Sequence, residues 1–351
     1  MASAPRPSAR VAAVGRKVRH PLMRPYTWLG TKATFRSSMR ILVLGAGMQG
    51  TLYGVRLARA GHAVTLVARG TRAAELERGG AIIEHVRTHE RITLRLPVIA
   101  ALDTTTVADL CLVTVRREQL TVALEALHTA PKIGRALVMV NFAGRFDHLF
   151  GLRDRARVVL GFPGAAGGIN DGVDRYVLVT EQPTAVEAHA VDVAQLLESA
   201  GFPLERVPDM ESWLMRHAVF VTAMAGALAT SAFDADRLAR DPVRVRQFIT
   251  AVREGWDALD RLHVHPPPLA LRAILTWVPK ALAAPYWQRL VLTRGDMYFA
   301  RHTRHARAEM ATLGADVLRL IRDVEAPHFR ALLRALDDAP TLLPGGRRPL
   351  S

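Results

Sequence analysis

Short apolar runs alternate with amphipathic stretches along the chain from Met39 to about Val207. The first run, "RILVLGA" at 40–46, is continuous, which is typical of a strand covered on both faces of a sheet. The next stretch, "MQGTLYGVRLARAG", has apolar residues at helical spacing and stops at Gly61. This alternation predicts βαβ units in a mostly parallel, doubly wound α/β sheet. Further strands are predicted at 63–69, 81–86, 92–99, 109–115, 136–141, 157–162 and 175–180, and further helices at 71–79, 117–130 and 184–201.

The strand pattern ends after about Val207, and the following segments have helical spacing only. Proline-containing stretches, "HPPPLA" and "APYWQR", interrupt these helices. We therefore predict an α/β domain over 39–206 and an all-α domain over 207–340, flanked by a basic tail at 1–38 and a loose tail at 341–351. The helices are predicted at 210–233, 242–262, 269–283, 296–324 and 327–336.

The positive charge is concentrated at the N-terminus. The formal net charge is +15, and residues 1–38 contain eight Arg or Lys residues and no acid. Elsewhere the signs are interleaved and no aromatic and basic stripe follows a groove, so we expect no nucleic-acid partner. The 1–38 segment has no apolar period, which predicts a disordered tail or a start assigned upstream of Met39 rather than an organelle transit peptide.

Two further features bear on the cell compartment. No apolar run reaches the roughly 18–20 residues that a membrane span requires, so we expect a soluble protein without a membrane partner. The single cysteine, Cys111, has no disulfide partner and lies in the apolar run "DLCLVTV". We interpret it as a buried structural thiol in a reducing compartment, the cytoplasm.

Three glycines follow the first predicted strand and open the first predicted helix. In the G-x-G-x-x-G pattern Gly45 permits a tight turn, Gly47 lets the backbone approach a pyrophosphate, and Gly50 lets helix and strand pack closely. The helix N-terminus then offers free N–H groups to the phosphates. Together with the intervening Ala46, Met48 and Gln49, these glycines form the predicted dinucleotide site.

The end of the second predicted strand distinguishes NADP from NAD. An NAD site places an acidic residue there for the ribose 2′-hydroxyl, whereas an NADP site requires a cation for the 2′-phosphate. The strand here ends in Arg69, and no acid occurs before Glu75. The sequence therefore predicts NADP(H), with Arg69 on the phosphate and Arg72 as a second contact.

Over nearly all of residues 39–335 the chain resembles the ketopantoate reductase (2-dehydropantoate 2-reductase) family of pantothenate biosynthesis. The resemblance implies an NADP-binding Rossmann domain, a helical substrate and dimerisation domain, and a 2-oxo acid reduced by NADPH in the cleft between them. Separately, the small-residue-rich stretch "HAVFVTAMAGALA" predicts a tightly packed buried helix that serves either packing within the domain or a homodimer. The resemblance to the family is carried by "MRILVLGAGMQGTLYGVRLARAGHAVTLVAR", "DLCLVTVRREQL", "VNFAG", "GFPGAAGG", "ESWLMRHAVFVTAMAGAL" and "RAEM".

The resemblance also assigns three site residues. Arg116 stands where the family usually has a lysine near cofactor and substrate, Asn141 matches an asparagine beside the nicotinamide, and Glu309 matches a glutamate that lines the substrate pocket. Read without the resemblance, Asn141 is equally a turn former at a strand end, and Glu309 is an acid on a helix surface. No metal site is predicted, since His305 and Glu309 lack a third ligand.

The family's general acid is absent from its aligned position. That lysine lies two residues after a tryptophan-like position, where the chain has Met215 after Trp213, and Val219 stands where many members have asparagine. Neither side chain can donate a proton. His217 titrates near neutrality and is the candidate donor, although its position about 200° around the helix from Met215 favours a packed or surface histidine. The alternative function is therefore a catalytically weakened NADP(H)-binding protein with a sensing or scaffolding role.

Overall fold

The structure is a computed structural model that describes residues 38–147, 155–266, 273–300, 303–304 and 306–339. Apart from Ser38, the predicted tails at 1–38 and 341–351 lie outside the described residues. The α/β part and the helical part belong to one compact unit. The expected domain boundary between 206 and 207 stays a prediction, although the last strand does end at Val207.

The main sheet has eight strands in the order β12-β11-β8-β7-β6-β1-β2-β5. All neighbours are parallel except β11 and β8. In β1, Ile41 and Val43 face one apolar cluster and Leu42 faces another, which explains the continuous apolar run. The twelve strands are β1 Arg40–Leu44, β2 Ala63–Val67, β3 Ala81–His85, β4 Arg91–Leu94, β5 Val98–Ile99, β6 Ala108–Val113, β7 Ile133–Val138, β8 Val158–Phe162, β9 Ala165–Asn170, β10 Val173–Leu178, β11 Thr184–Glu187 and β12 Leu204–Val207.

A second sheet of four strands has the order β4-β3-β10-β9. The strands predicted at 81–86 and 92–99 begin with β3 and β4, which are antiparallel neighbours. Strand β9 was not predicted, since its sequence "AAGGIN" is short of the β-branched and aromatic residues that favour strands. This sheet contributes Ala165–Asn170 to the wall of the central cavity.

The predicted helix over 184–201 is wrong in its first part. Residues Thr184–Glu187 form β11, and only Val191–Ser199 is helical. The strand is held by its ladder with β8 and β12. Two buried side-chain contacts add to this: the hydroxyls of Tyr53 and Thr184 are 2.5 Å apart, and Glu187 accepts from the backbone N–H of Leu160. Tertiary contacts therefore override the local helical pattern.

Ten α-helices are described. The first three run beside the main sheet, and the 20-residue α5 is the centre of the helical part, packed against α7, α9 and α10. Asp209 caps α5 by accepting from the N–H of Ser212. The helices are α1 Met48–Arg59, α2 Gly70–Gly79, α3 Leu120–His128, α4 Val191–Ser199, α5 Met210–Ala229, α6 Ala235–Ala239, α7 Pro242–Arg261, α8 Lys280–Gly295, α9 Arg307–Leu320 and α10 Pro327–Asp337. Residues Asp296–Ala300 form a π-helical turn after α8.

A buried ion pair joins the two parts of the chain. Arg117, which follows β6, donates from Nε to Oδ2 of Asp316 in α9 at 2.6 Å, and both side chains are almost fully shielded from solvent. Asp316 also accepts from Arg319 at 3.0 Å, and removal of its carboxylate would take this buried charge partner from Arg117. The pair therefore fixes α9 against the carboxyl end of the main sheet.

Cys111 is fully buried, as predicted for a structural thiol, and burial raises the pKa of its thiol to about 12. Among the described helices, none combines the length and the apolar character needed to traverse a lipid bilayer.

Candidate functional site

A cavity of about 1060 Å³ lies at the carboxyl ends of the main-sheet strands and is closed on the other side by the helical part. Crevices at this edge of doubly wound sheets are the usual ligand sites of the fold. Both sheets and helices α5, α8 and α9 contribute to its wall. The residues expected from the sequence that line it are Gly47, Met48, Gln49, Arg116, Asn141, His217 and Glu309.

The glycine loop has the geometry that a dinucleotide requires. Gly45 has a φ of +108°, which favours glycine, and a Cβ on Gly50 would lie 2.1 Å from the carbonyl oxygen of Gly45. By contrast, a Cβ on Gly47 would meet nothing within 4 Å. Gly47 is the N-cap of α1 and has no side chain to occupy the free N–H groups of that helix end. The loop is therefore closed where it packs on the strand and open where a pyrophosphate would approach.

Gln49 connects the loop to the second sheet. Its Nε2 donates to the carbonyl oxygen of Ala165 at 2.6 Å, while its buried Oε1 has no partner among the described residues. A buried acceptor without a donor is costly in a folded protein. Gln49 thus holds β9 beside the loop and keeps an unused acceptor at the wall of the cavity.

Arg69 and Arg72 have different environments. Arg69 is exposed at the N-cap of α2, and its guanidinium has no hydrogen bond to the described part of the protein. The guanidinium of Arg72, for which a second phosphate contact is predicted, donates to the carbonyl oxygen of Ala46, to Thr51, to Glu75 and to Asp174. Arg72 therefore braces the glycine loop, whereas the guanidinium of Arg69 has no such contact with the described residues.

Arg116 and Asn141 follow neighbouring strands, β6 and β7. Arg116 is exposed, and no hydrogen bond from its guanidinium to the described residues is found. Asn141 is half-buried, and its Oδ1 has no hydrogen-bond partner among the described residues. Both side chains therefore have hydrogen-bonding capacity left at the cavity wall.

Helix α5 presents a different face to the cavity from the one expected. Met215 and Val219 are 3% and 0% exposed and lie in the core of the helical part, away from the cavity lining. Trp213 and His217, one turn apart, line the cavity with their rings stacked at 5.0 Å between centroids. His217 is thus a packed histidine, half-buried against Trp213 and Phe162, and it also lines the cavity.

Glu309, in the first turn of α9, is the acidic group of the helical part at the cavity. It is 9% exposed and accepts no hydrogen bond from the described residues. Burial, with a contribution from the nearby charge of Glu118, raises the pKa of its carboxyl to about 7 against the opposing effect of Arg116. This carboxyl therefore keeps its proton to a higher pH than an exposed glutamate does. The His305 that was considered beside it lies outside the described residues.

Sequence reasoning missed the aromatic part of the wall. Tyr286, Trp287, Tyr298 and Phe299 line the cavity from α8 and the π-helical turn. Apolar residues at helical spacing look the same whether they face a core or a ligand, so no local signal separates them. No cluster of three or more metal-ligating side chains occurs within the described ranges.

The fold and the site define a Rossmann-like nucleotide-binding architecture followed by a helical part that covers the carboxyl edge of the sheet. The family model described as ketopantoate reductase PanE/ApbA matches residues 41–185. A search of curated protein sequences gives no match.

Solved structures support the same fold. A PanE/ApbA family ketopantoate reductase from Ralstonia eutropha JMP134 is similar at 21% identity and a TM-score of 0.69, over 85% of this chain and 97% of that one. A 2-dehydropantoate 2-reductase from Geobacter metallireducens GS-15 is similar at 15% identity and a TM-score of 0.68, over 86% and 100%. D-mandelate dehydrogenase, solved with NADH and anilino(oxo)acetate, is similar at 15% identity and a TM-score of 0.68, over 85% and 97%.

Proposed function

We propose that this protein is an NADPH-dependent oxidoreductase of the ketopantoate reductase family that reduces the carbonyl of a 2-oxo acid. The proposal depends on one observation: a single cavity connects the open glycine loop to Asn141, His217 and Glu309. The match of the family model to residues 41–185 supports it. Similar structures whose names include reductases and an NADH-bound dehydrogenase also favour a nicotinamide cofactor.

A bound nicotinamide in its reduced form supplies a hydride to the carbonyl carbon. The oxygen then gains negative charge and requires a proton or strong hydrogen bonds. In this proposal His217 donates the proton, because it is the histidine on the cavity face of α5. The Asn141 amide donates a hydrogen bond to the same oxygen. The aromatic rings of Trp213 and Phe162 hold the imidazole in place.

Arg116 and Glu309 act on the carboxylate of the substrate. Arg116 offers a guanidinium that can hold a carboxylate with paired donors. The substrate carboxylate binds favourably beside Glu309 only while the Glu309 carboxyl is protonated, since two carboxylates in one buried site repel each other. The binding of a 2-oxo acid and the protonation of Glu309 are therefore coupled.

The weakened-binder alternative was motivated by Met215 and Val219. Both side chains lie in the helical core, whereas the wall facing the sheet contains His217 and Glu309, two groups that can carry a transferable proton. The presence of these two groups at the cavity wall favours the reductase over the weakened NADP(H)-binding protein.

The reductase proposal is tested by following NADPH oxidation against a panel of 2-oxo acids that includes ketopantoate. We expect turnover with at least one member, and we expect KM to rise as pH increases through about 7, because Glu309 then loses its proton. Glu309→Gln should remove this rise, since an amide does not titrate. Absence of NADPH oxidation with every 2-oxo acid would contradict the proposed function.

Cofactor preference depends on Arg69. Replacement of Arg69 by Asp should lower the affinity for NADPH by roughly 10- to 100-fold while NADH binding is retained or improved, because a charged hydrogen bond to the 2′-phosphate is worth ~1.5–3 kcal/mol. Fluorescence titration with the two nucleotides measures this. The matched control is Arg78→Asp at the other end of α2, which should leave both affinities unchanged. Equal use of both nucleotides by the parent and the Arg69 variant would remove Arg69 from the site.

A further inference from the structure

We infer that the substrate has a bulky aromatic side chain, which occupies the part of the cavity enclosed by α5, α8 and the π-helical turn. This inference rests on the proposed function and specifies its substrate class. The inference gives a role to the aromatic wall of the cavity, which has none in the proposed cofactor site or in the proposed proton transfer. Its apolar members are Phe220, Val221, Met224, Tyr286, Trp287, Leu290, Tyr298 and Phe299.

The wall is an ordered aromatic framework. Ring centroids of Phe220 and Trp287 are 5.5 Å apart, and those of Phe220 and Phe299 are 6.0 Å apart. Phe248 supports Trp287 from the core side, also at 5.5 Å. Separations of this size, with inclined rings, are those of favourable edge-to-face and tilted pairs. The framework therefore presents rigid apolar surface on which an aryl group can pack.

The charged groups nearest the aromatic wall are held in pairs within the protein. Glu181 lines the cavity and pairs with Arg294 of α8, whose guanidinium carbon lies 6.0 Å from the ring centroid of Tyr298. Beyond Val207, Arg216 and Glu309 are the described Arg, Lys, Asp or Glu residues that line the cavity. Arg216 is 2% exposed, and its guanidinium donates to the carbonyl oxygens of Trp256 and Val264 and pairs with Asp260. A charged side chain on the substrate would lose hydration here, because Arg216 and Glu181 are already paired.

The polar groups occupy a different part of the lining. Arg116 and Asn141 follow the carboxyl ends of main-sheet strands, and Glu309 lies at the start of α9. Val221 lies one turn beyond His217 on α5, toward Met224. The arrangement fits a ligand with a 2-oxo-carboxylate head at the sheet and an aryl tail along α5 and α8.

The test compares phenylglyoxylate with pyruvate, which share the 2-oxo-carboxylate head and differ in the tail. Affinity in the presence of NADP+ is measured by calorimetry, and NADPH oxidation is measured separately. We expect phenylglyoxylate to be preferred by roughly 10- to 100-fold in each measurement, the effect of burying an aryl group in an apolar pocket.

Leu290→Trp fills the aromatic part and should lower the preference for phenylglyoxylate by about 10-fold or more. Leu292→Trp is the matched control, because Leu292 is 48% exposed on the same helix and does not line the cavity. It should keep the preference of the parent. Phe299→Leu is a second variant that removes one ring without adding volume, and it should also reduce the preference.

The outcomes separate the inference from the proposed function. Equal affinity for the two acids, tighter binding of pyruvate, or binding of neither overturns the inference, even where a small 2-oxo acid is reduced. Preferential binding of phenylglyoxylate without oxidation of NADPH by any 2-oxo acid supports the inference and overturns the reductase function.

Discussion

Replacement of His217 by Asn is expected to lower kcat for 2-oxo acid reduction by about 10²- to 10⁴-fold, the usual contribution of a positioned proton donor. Asparagine keeps a polar side chain of similar reach but has no transferable proton. NADPH affinity should remain at the parental value, because His217 comes from α5 rather than from the glycine loop. Stopped-flow measurement of NADPH oxidation, together with nucleotide titration, checks both parts.

Three variants distinguish chemistry from structure in this experiment. His217→Lys restores a proton donor and should recover part of the rate. Met215→Lys should instead destabilise the fold without any gain in rate, because Met215 lies in the helical core. His128→Asn changes an exposed histidine on α3 and should have no effect. A parental rate in His217→Asn would assign the proton transfer to another group.

Removal of the buried Asp316 carboxylate is expected to have the largest effect on stability. Asp316→Ala leaves Arg117 charged and shielded from solvent, and breaking a buried pair in this way costs about 3–5 kcal/mol. Urea denaturation followed by circular dichroism measures the change in the free energy of unfolding.

The control for the ion pair is Asp323→Ala. Asp323 is 84% exposed and contacts Arg322 at the protein surface, so its removal should change the free energy of unfolding by less than about 0.5 kcal/mol. Similar losses in the two variants would mean that the contact between Arg117 and Asp316 does not join the two parts.

Local sequence was sufficient to predict the strand, the glycine loop and the helix that form the expected dinucleotide site. β1, the glycine loop and α1 are consecutive, so the order of apolar run, G-x-G-x-x-G and amphipathic stretch specifies them without long-range information. The same reasoning could not detect that Arg72 is engaged by Asp174, which lies about a hundred residues later in β10.

The strands that were missed depend on distant partners. β11 pairs with β8 and β12, and β9 pairs with β10 although it contains Gly167 and Gly168. Strand formation at such positions reflects packing against neighbours more than intrinsic preference. The helical pattern therefore predicted the wrong local structure at 184–187, and the sequence predicted no strand at 165–170.

The orientation of α5 is the main feature of the site that the sequence could not determine. Apolar residues surround this helix on nearly all sides, and both Met215 and His217 have apolar neighbours in the sequence. An apolar face that contacts a core and one that lines a ligand cavity have the same spacing. The resemblance placed Met215 at the position of the missing acid, whereas the fold places His217 at the cavity.

Helix α9 has a consequence for the energetics of turnover. Asp316 and Glu309 are seven residues apart, about two helical turns, and thus share one side of α9. Because Asp316 is joined to Arg117, the residue next to Arg116, the backbones that carry Glu309 and Arg116 are linked without a ligand. In the proposed reductase, binding energy would then not be spent on bringing the two parts together and would remain for discrimination among substrates.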